Sequence, residues 1–519
     1  MNSRTANSKR NIFWGAVQKV VAMFAPFAVR TIMIKTLGAE YLGISGLFTS
    51  VLSTLSLAEL GIGTAIVYSM YKPIADGDTS AVCALLNMYR KIYRIIGGIV
   101  FAIGIILIPL LPNLINGEIP ADVNIYLIFA IYLFNSTASY WLFAYKISLL
   151  NAHQRADIVN KIDIFLMLGL YLAEILTLLV FKNYYCYAVL LPVYTILRNY
   201  IASNYVKREF PNLQPKGKVD ANTLRTLKKS ISGLMITKMS SVSRNAFASI
   251  IVSMFLGLTT VAIYNNYYYI LNSVTALLLV LTSSIAASIG NSVASETIEK
   301  NYSDMNKLNF IYMWISGWCA VCLLCMYQPF MKLWVGSDLM FSDGIMWLFP
   351  LYFMVMKIGD IKAQYLDATG LWWYRKWYCL AEAIGNIILN FVFGYLWGVG
   401  GILCATIITV FVFDFVLSSK VIFRHYFTTG YIKYIVSQSF YLIVTFVVSV
   451  VTFTACKKIS CFLHNDWLKL IFVALICVIL PNILFFISYC WTRAFKDSKK
   501  WLLERFIIKN RSKSRGINI

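Results

Sequence analysis

Apolar runs long enough to cross a bilayer recur along the whole chain, and short polar breaks separate them. At ~1.5 Å rise per residue against ~30 Å of hydrocarbon, a helix of about 20 apolar residues spans the membrane. Such runs fall at about 11–36, 43–70, 92–115, 123–150, 157–181, 185–206, 230–256, 261–290, 308–330, 343–366, 377–397, 401–424, 435–455 and 468–490. Alternating strand-length segments, the mark of a membrane barrel, are missing. The pattern predicts an all-α polytopic membrane protein with about 14 transmembrane helices.

Charge sharpens this picture. Of 519 residues, 59% are hydrophobic and 13% charged, against ~25% charged in ordinary soluble domains. The formal net charge is +23. In a soluble chain that excess would suggest nucleic acid, but here its placement decides otherwise. With the N-terminus cytoplasmic, the cytoplasmic breaks hold 32 Lys and Arg, and the outer ones only Lys182, Lys332, Lys457 and Lys458. This positive-inside bias predicts that both termini are cytoplasmic. The first run is too long and too charged for a cleavable signal and reads as a retained helix.

Several chemistries are not expected. His153, His425 and His464 lie far apart, so no metal site is visible. Cys319, Cys322 and Cys325 follow C-x2-C-x2-C, but they sit in a spanning run without a fourth ligand, where small apolar packing is the expectation. No disulfide framework is implied. There is no G-x4-GK[ST] nucleotide loop, and no break is large enough for a catalytic domain. A polymerase, a glycosyltransferase or an ATPase is therefore disfavoured, and no cofactor is expected.

The longest break, 207–229, carries Pro211, Pro215, Gly217 and seven basic residues, and reads as a cytoplasmic linker. It separates two related halves. Laying Leu37-Gly38 on Leu256-Gly257, a shift of 219 residues, places Lys19 on Lys238, Ile44 on Ile263 and Ser69 on Ser288. Six runs lie on each side, so both copies enter the membrane from the same side, a parallel repeat. The expected domains are an N-lobe at 1–206, the linker, a C-lobe at 230–425, and two extra helices with a basic tail at 426–519.

Ionisable residues inside the spans are the functional candidates. Lys19 and Arg30, about three turns apart, share one face of the first span. Lys238 and Arg244 hold comparable places in the seventh. Together these four suggest a cationic cavity for an anion, because Arg offers forked bonds to phosphate and Lys a point charge. Lys238 and Asn245 share a face, with Arg244 well round the wheel from it. Glu59 and Glu174 lack a partner nearby in sequence and are candidates for ion coupling. Lys357 and Asp360, at i and i+3, are expected to neutralise each other. Glu382, Asn386 and Asn390 form a polar stripe, and Lys35 and Lys362 read as anchors that reach the interface.

Leu37-Gly38-Ala39-Glu40-Tyr41-Leu42-Gly43, Leu57-Ala58-Glu59-Leu60-Gly61-Ile62-Gly63 and Tyr71-Lys72-Pro73 resemble the first two helices of Wzx-type polysaccharide flippases. These belong to the multidrug/oligosaccharidyl-lipid/polysaccharide (MOP) superfamily. Phe255-Leu256-Gly257, Ile263-Tyr264-Asn265-Asn266-Tyr267-Tyr268 and Ser288-Ile289-Gly290-Asn291 resemble that family's seventh and eighth helices. The resemblance implies two six-helix lobes of MATE-like type, alternating access, and an undecaprenyl-pyrophosphate-linked oligosaccharide as cargo. It places the pyrophosphate on Lys19, Arg30, Lys238 and Arg244. It also implies membrane lipids, a polysaccharide polymerase and export machinery as partners. The rival expectation is a MATE-like ion-coupled multidrug exporter, or an exporter of another lipid-linked precursor.

Overall fold

The computed structural model describes residues 2–59 and 61–514. The last five residues of the basic tail therefore lie outside the described residues. Two compact units divide the chain, Met1–Asn265 and Asn266–Ile519.

The first unit contains α1 (Asn2–Thr36), α2 (Ala39–Leu55), α3 (Ile62–Asp76), α4 (Thr79–Leu107), α5 (Ile125–Trp141), α6 (Ile147–Ala152), α7 (Ala156–Val180), α8 (Tyr184–Glu209), α9 (Ala221–Val242) and the start of α10 (Ala248–Ser295). The second holds the rest of α10, then α11 (Ile298–Val335), α12 (Asp343–Lys357), α13 (Asp360–Ala368), α14 (Trp372–Thr409), α15 (Ser418–Ile422), α16 (Tyr431–Cys461), α17 (Asp466–Tyr489) and α18 (Arg493–Ser514). Among the described residues, nine helical runs are long and apolar enough to cross a membrane, or ten if a bent pair counts as one more. Two of these, Ala221–Ser295 and Trp372–Phe427, turn at Gly257 and Gly398, whose φ angles are +82° and +60°. The protein is a multi-pass, all-helical membrane protein. Its apolar side chains face outward as well as inward: Phe165, Leu172 and Val180 of α7 are more than 60% exposed, as a lipid-facing surface requires.

Side chains start the helices. Asn124, Asn183 and Asn465 each accept two backbone N–H bonds at the head of α5, α8 and α17. Asp220 heads α9, and bonds from the Thr223 hydroxyl and amide hold its carboxyl below the usual carboxylate range. Glycine and short turns break three spans that the apolar pattern reads as continuous. The run at 43–70 stops at Leu55, makes a 3-10 turn over Ser56–Glu59, and restarts after Gly61 at φ +88°. The run at 123–150 bends by 46° after Trp141, where Phe143 takes φ +63°. The run at 343–366 breaks between Lys357 and Asp360. Hydropathy averaged over a span does not register these interruptions, because the few polar residues at each break are outweighed by the apolar runs on either side.

Gly38 and Gly257, equivalent under the 219-residue shift, adopt similar backbone angles, φ +125°, ψ 167° and φ +82°, ψ 175°. Glu40 accepts the hydroxyl of Thr259 at 2.8 Å, and this pair too is 219 residues apart. Gly46 faces Asn265, again at that separation, so closely that a Cβ there would stand 2.1 Å from the amide nitrogen. Next to them, a Cβ on Gly43 would stand 2.1 Å from the Leu258 carbonyl. At Gly43, where the close atoms are backbone, only glycine allows α2 and the start of α10 to approach this closely.

Candidate functional site

The break between α2 and α3 places Glu59 inside the first unit, where helical continuity would have turned the chain elsewhere. Its carboxylate accepts the Tyr93 hydroxyl at 2.5 Å and the Tyr140 hydroxyl at 2.7 Å. Tyr89, one turn before Tyr93, donates to Tyr93 at 2.7 Å. These tyrosines come from α4 and α5 and are buried. Glu59 lines a cavity of about 540 Å³ with Tyr68, Tyr71, Tyr89 and Tyr93. A second cavity of about 480 Å³ shares Glu59, Ser139 and Arg198 with the first and extends to Asp163 and Asn199.

Arg198 of α8 grips Asp163 of α7 through a fork, Nε to one carboxylate oxygen at 2.5 Å and a terminal nitrogen to the other at 3.1 Å. This forked geometry is the strong form of an ion pair. Next to it Thr195 donates to Asn135 at 2.6 Å. Asn199, 1% exposed, has no partner among the described residues for either amide atom. A buried amide without a partner costs free energy, so a water or ligand atom is expected to reach it.

Glu174 of α7 is 2% exposed and makes no hydrogen bond or ion pair among the described residues. It lies within electrostatic reach of Tyr187, and so does Arg30 of α1. Two of the sequence candidates thus meet around one tyrosine. Ser45 bridges Tyr132 and Tyr184 at 3.0 and 2.7 Å. Arg30 is half-buried four residues after Pro26, and Lys19 on the same helix is exposed. Arg244 is half-buried in a π-helical turn, Ser243–Phe247, that packs on α2. Such turns are frequent at functional sites. Lys238 is exposed, and among the described residues neither Lys19 nor Lys238 forms an ion pair. Asn245 lies inside the π turn, so the face it shares with Lys238 on an ideal wheel does not carry over.

In the second unit the charges find one another. Lys357 pairs with Asp360 at 2.8 Å, and Tyr312 donates to the same carboxylate at 2.5 Å. Arg375 pairs with Asp414 at 2.5 Å. Lys362, expected as an interfacial anchor, is instead 1% exposed and donates to the Asp414 carbonyl at 2.7 Å. The chain break before Asp360 starts a new helix and turns Lys362 inward, which span-end reasoning does not foresee. Asn386 and Asn390 join Thr406 and Thr409 in a buried polar ladder between the two arms of the Trp372–Phe427 run.

The sequence reading missed the tyrosines around Glu59. Tyr89 and Tyr93, four apart on one helix face, were a visible signal, since a phenol pair in a spanning helix needs hydrogen-bond partners.

The all-helical fold is similar to that of solved members of the MOP superfamily. No family model matches the sequence, and no curated protein matches it. Among solved structures, the chain is similar to the lipid II flippase MurJ in an inward closed conformation, at 14% identity, covering 92% of this chain and 98% of that one, with a TM-score of 0.63. It is also similar to an inward-facing multidrug resistance MATE family transporter of the MOP superfamily, at 14% identity over 85% and 99% of the chains, with a TM-score of 0.61. A third is a MOP superfamily transporter from Pyrococcus furiosus, at 12% identity over 84% and 94%, with a TM-score of 0.53.

Proposed function

We propose that this protein is a flippase that moves an undecaprenyl-pyrophosphate-linked oligosaccharide from the cytoplasmic to the outer leaflet of the plasma membrane. The observation that carries the reading is Arg30, half-buried in α1 within electrostatic reach of Tyr187, in a chain whose fold is similar along its length to that of a lipid II flippase. A guanidinium there offers forked bonds to a phosphate group. Arg30, Lys19, Lys238 and Arg244 would bind the pyrophosphate, while the prenyl chain stays in lipid. No covalent step is required. Alternating access would carry the head group across, and both termini would stay cytoplasmic, as the loop charges favour. Glu59 and Glu174 would couple transport to a proton gradient. Surface polysaccharide synthesis is the corresponding pathway class, with a polymerase and export machinery taking the product.

Arg30→Ala tests the reading. Folded protein should remain in the membrane at normal abundance, and export of the repeat unit should fall at least tenfold, with lipid-linked intermediate accumulating. Arg30→Lys should rescue in part, because a point charge replaces a forked donor. Lost abundance, or unchanged flipping per molecule, overturns the role.

One observation favours a second reading. An acid framed by tyrosine faces, as at Glu59, also suits an organic cation. A MATE-like multidrug exporter would then accumulate or expel a fluorescent organic cation in proteoliposomes, and Glu59→Gln would abolish this.

A further inference from the structure

Eleven cysteines are spread along the chain, none in a disulfide among the described residues. Three of them converge. Cys325 of α11, Cys456 of α16 and Cys477 of α17 bring their Sγ atoms within 4.8 Å of one another. They are 3%, 4% and 1% exposed. The thiols come from three separate helices, so local sequence does not account for their meeting.

We propose that Cys325, Cys456 and Cys477 form a binding site for a soft monovalent d10 cation of the copper(I) type. The donor set selects the ion. Thiolates favour soft metals, and three donors fall short of the four that zinc requires in a structural site. With metal–sulfur bonds of ~2.3 Å, a trigonal ion needs sulfurs about 4 Å apart, so a contraction below ~1 Å closes the site. The charge also balances. One Cu(I) displaces one thiol proton, leaving one thiolate and two neutral thiols around a monovalent cation. The complex is then neutral, as burial demands. A divalent ion on the same proton count would leave a net charge. The consequence is structural: the metal would tie α16 and α17 to α11.

The experiment uses the full chain, purified in detergent under reducing conditions, with Cu(I) supplied and bathocuproine disulfonate as competing chelator. The wild-type protein should retain about one copper per chain, and its thermal unfolding should move upward on loading. Cys477→Ala should weaken retention at least tenfold and abolish that shift. Cys186→Ser, at an exposed position, should change neither. No copper retained by the wild type, or equal retention by Cys477→Ala, overturns the site. Should Cys477→Ala yield no folded protein, the wild-type measurement decides alone, together with protection of the buried thiols from alkylation by bound Ag(I).

Discussion

Glu59 in the first unit and Asp360 in the second each accept one tyrosine hydroxyl at 2.5 Å. They differ in the second partner. Asp360 also holds the Lys357 ammonium at 2.8 Å, whereas Glu59 holds a second phenol, that of Tyr140, at 2.7 Å. Replacing Asp360 by a neutral side chain would strand a buried lysine. Replacing Glu59 strands no cation among the described residues. The same contrast separates Asp414, which is paired with Arg375, from Glu174, which has no partner among the described residues. Asp360 and Asp414 are built into ion pairs, whereas Glu59 and Glu174 hold no cation among the described residues, in contrast to Asp163 of their own unit, which is forked to Arg198. A transporter coupled to a gradient needs acids of the kind that holds no cation.

The largest effect is expected from Asp360→Asn. It leaves Lys357, 8% exposed, without its countercharge, at a cost of ~3–5 kcal/mol. Membrane abundance and thermal unfolding in detergent should both fall. Arg375→Ala should come next and below that range, because about a fifth of each partner is exposed. Glu59→Gln keeps a carbonyl acceptor for one phenol and sets an NH2 donor against the other, whose hydroxyl can turn to accept, and should cost ~0.5–1.5 kcal/mol. Its main effect should be on transport in proteoliposomes, which should lose its dependence on an imposed pH gradient. Equal losses of stability for Asp360→Asn and Glu59→Gln would break the contrast between these acids. The smallest stability change is expected for Glu174→Gln, since no ion pair is lost. There, too, a flattened pH dependence is the readout, and full retention of pH dependence in both Gln variants would move the coupling elsewhere.

Much of this architecture was legible from the pattern of apolar residues, because lipid imposes helices of a set length. The pairing of Lys357 with Asp360 was legible as well, being separated by three residues on one strip of chain. Contacts that join different helices were not. Tyr140 reaches Glu59 from 81 residues away, and Arg198 reaches Asp163 from 35. The three cysteines span α11 to α17, so the C-x2-C-x2-C spacing, read as apolar packing, gave no sign that Cys325 meets Cys456 and Cys477. Helical periodicity tells which residues share a face. It does not tell which neighbour that face meets, nor where a π turn such as Ser243–Phe247 shifts the count.

The pairs Glu40–Thr259 and Gly46–Asn265 lie 219 residues apart, the shift that aligns the two halves of the sequence, so under that alignment each residue touches its own counterpart. In a symmetric dimer, residues on the twofold axis do the same. Were the halves copies of one unit, the seam between α2 and α10 would have the form of a homodimer interface carried within one polypeptide. A homodimer could place only identical residues there, two glutamates in repulsion or two threonines. A single chain is not bound by that constraint. A carboxylate can face a hydroxyl, and a glycine can admit an asparagine, so the two sides of the contact are free to differ.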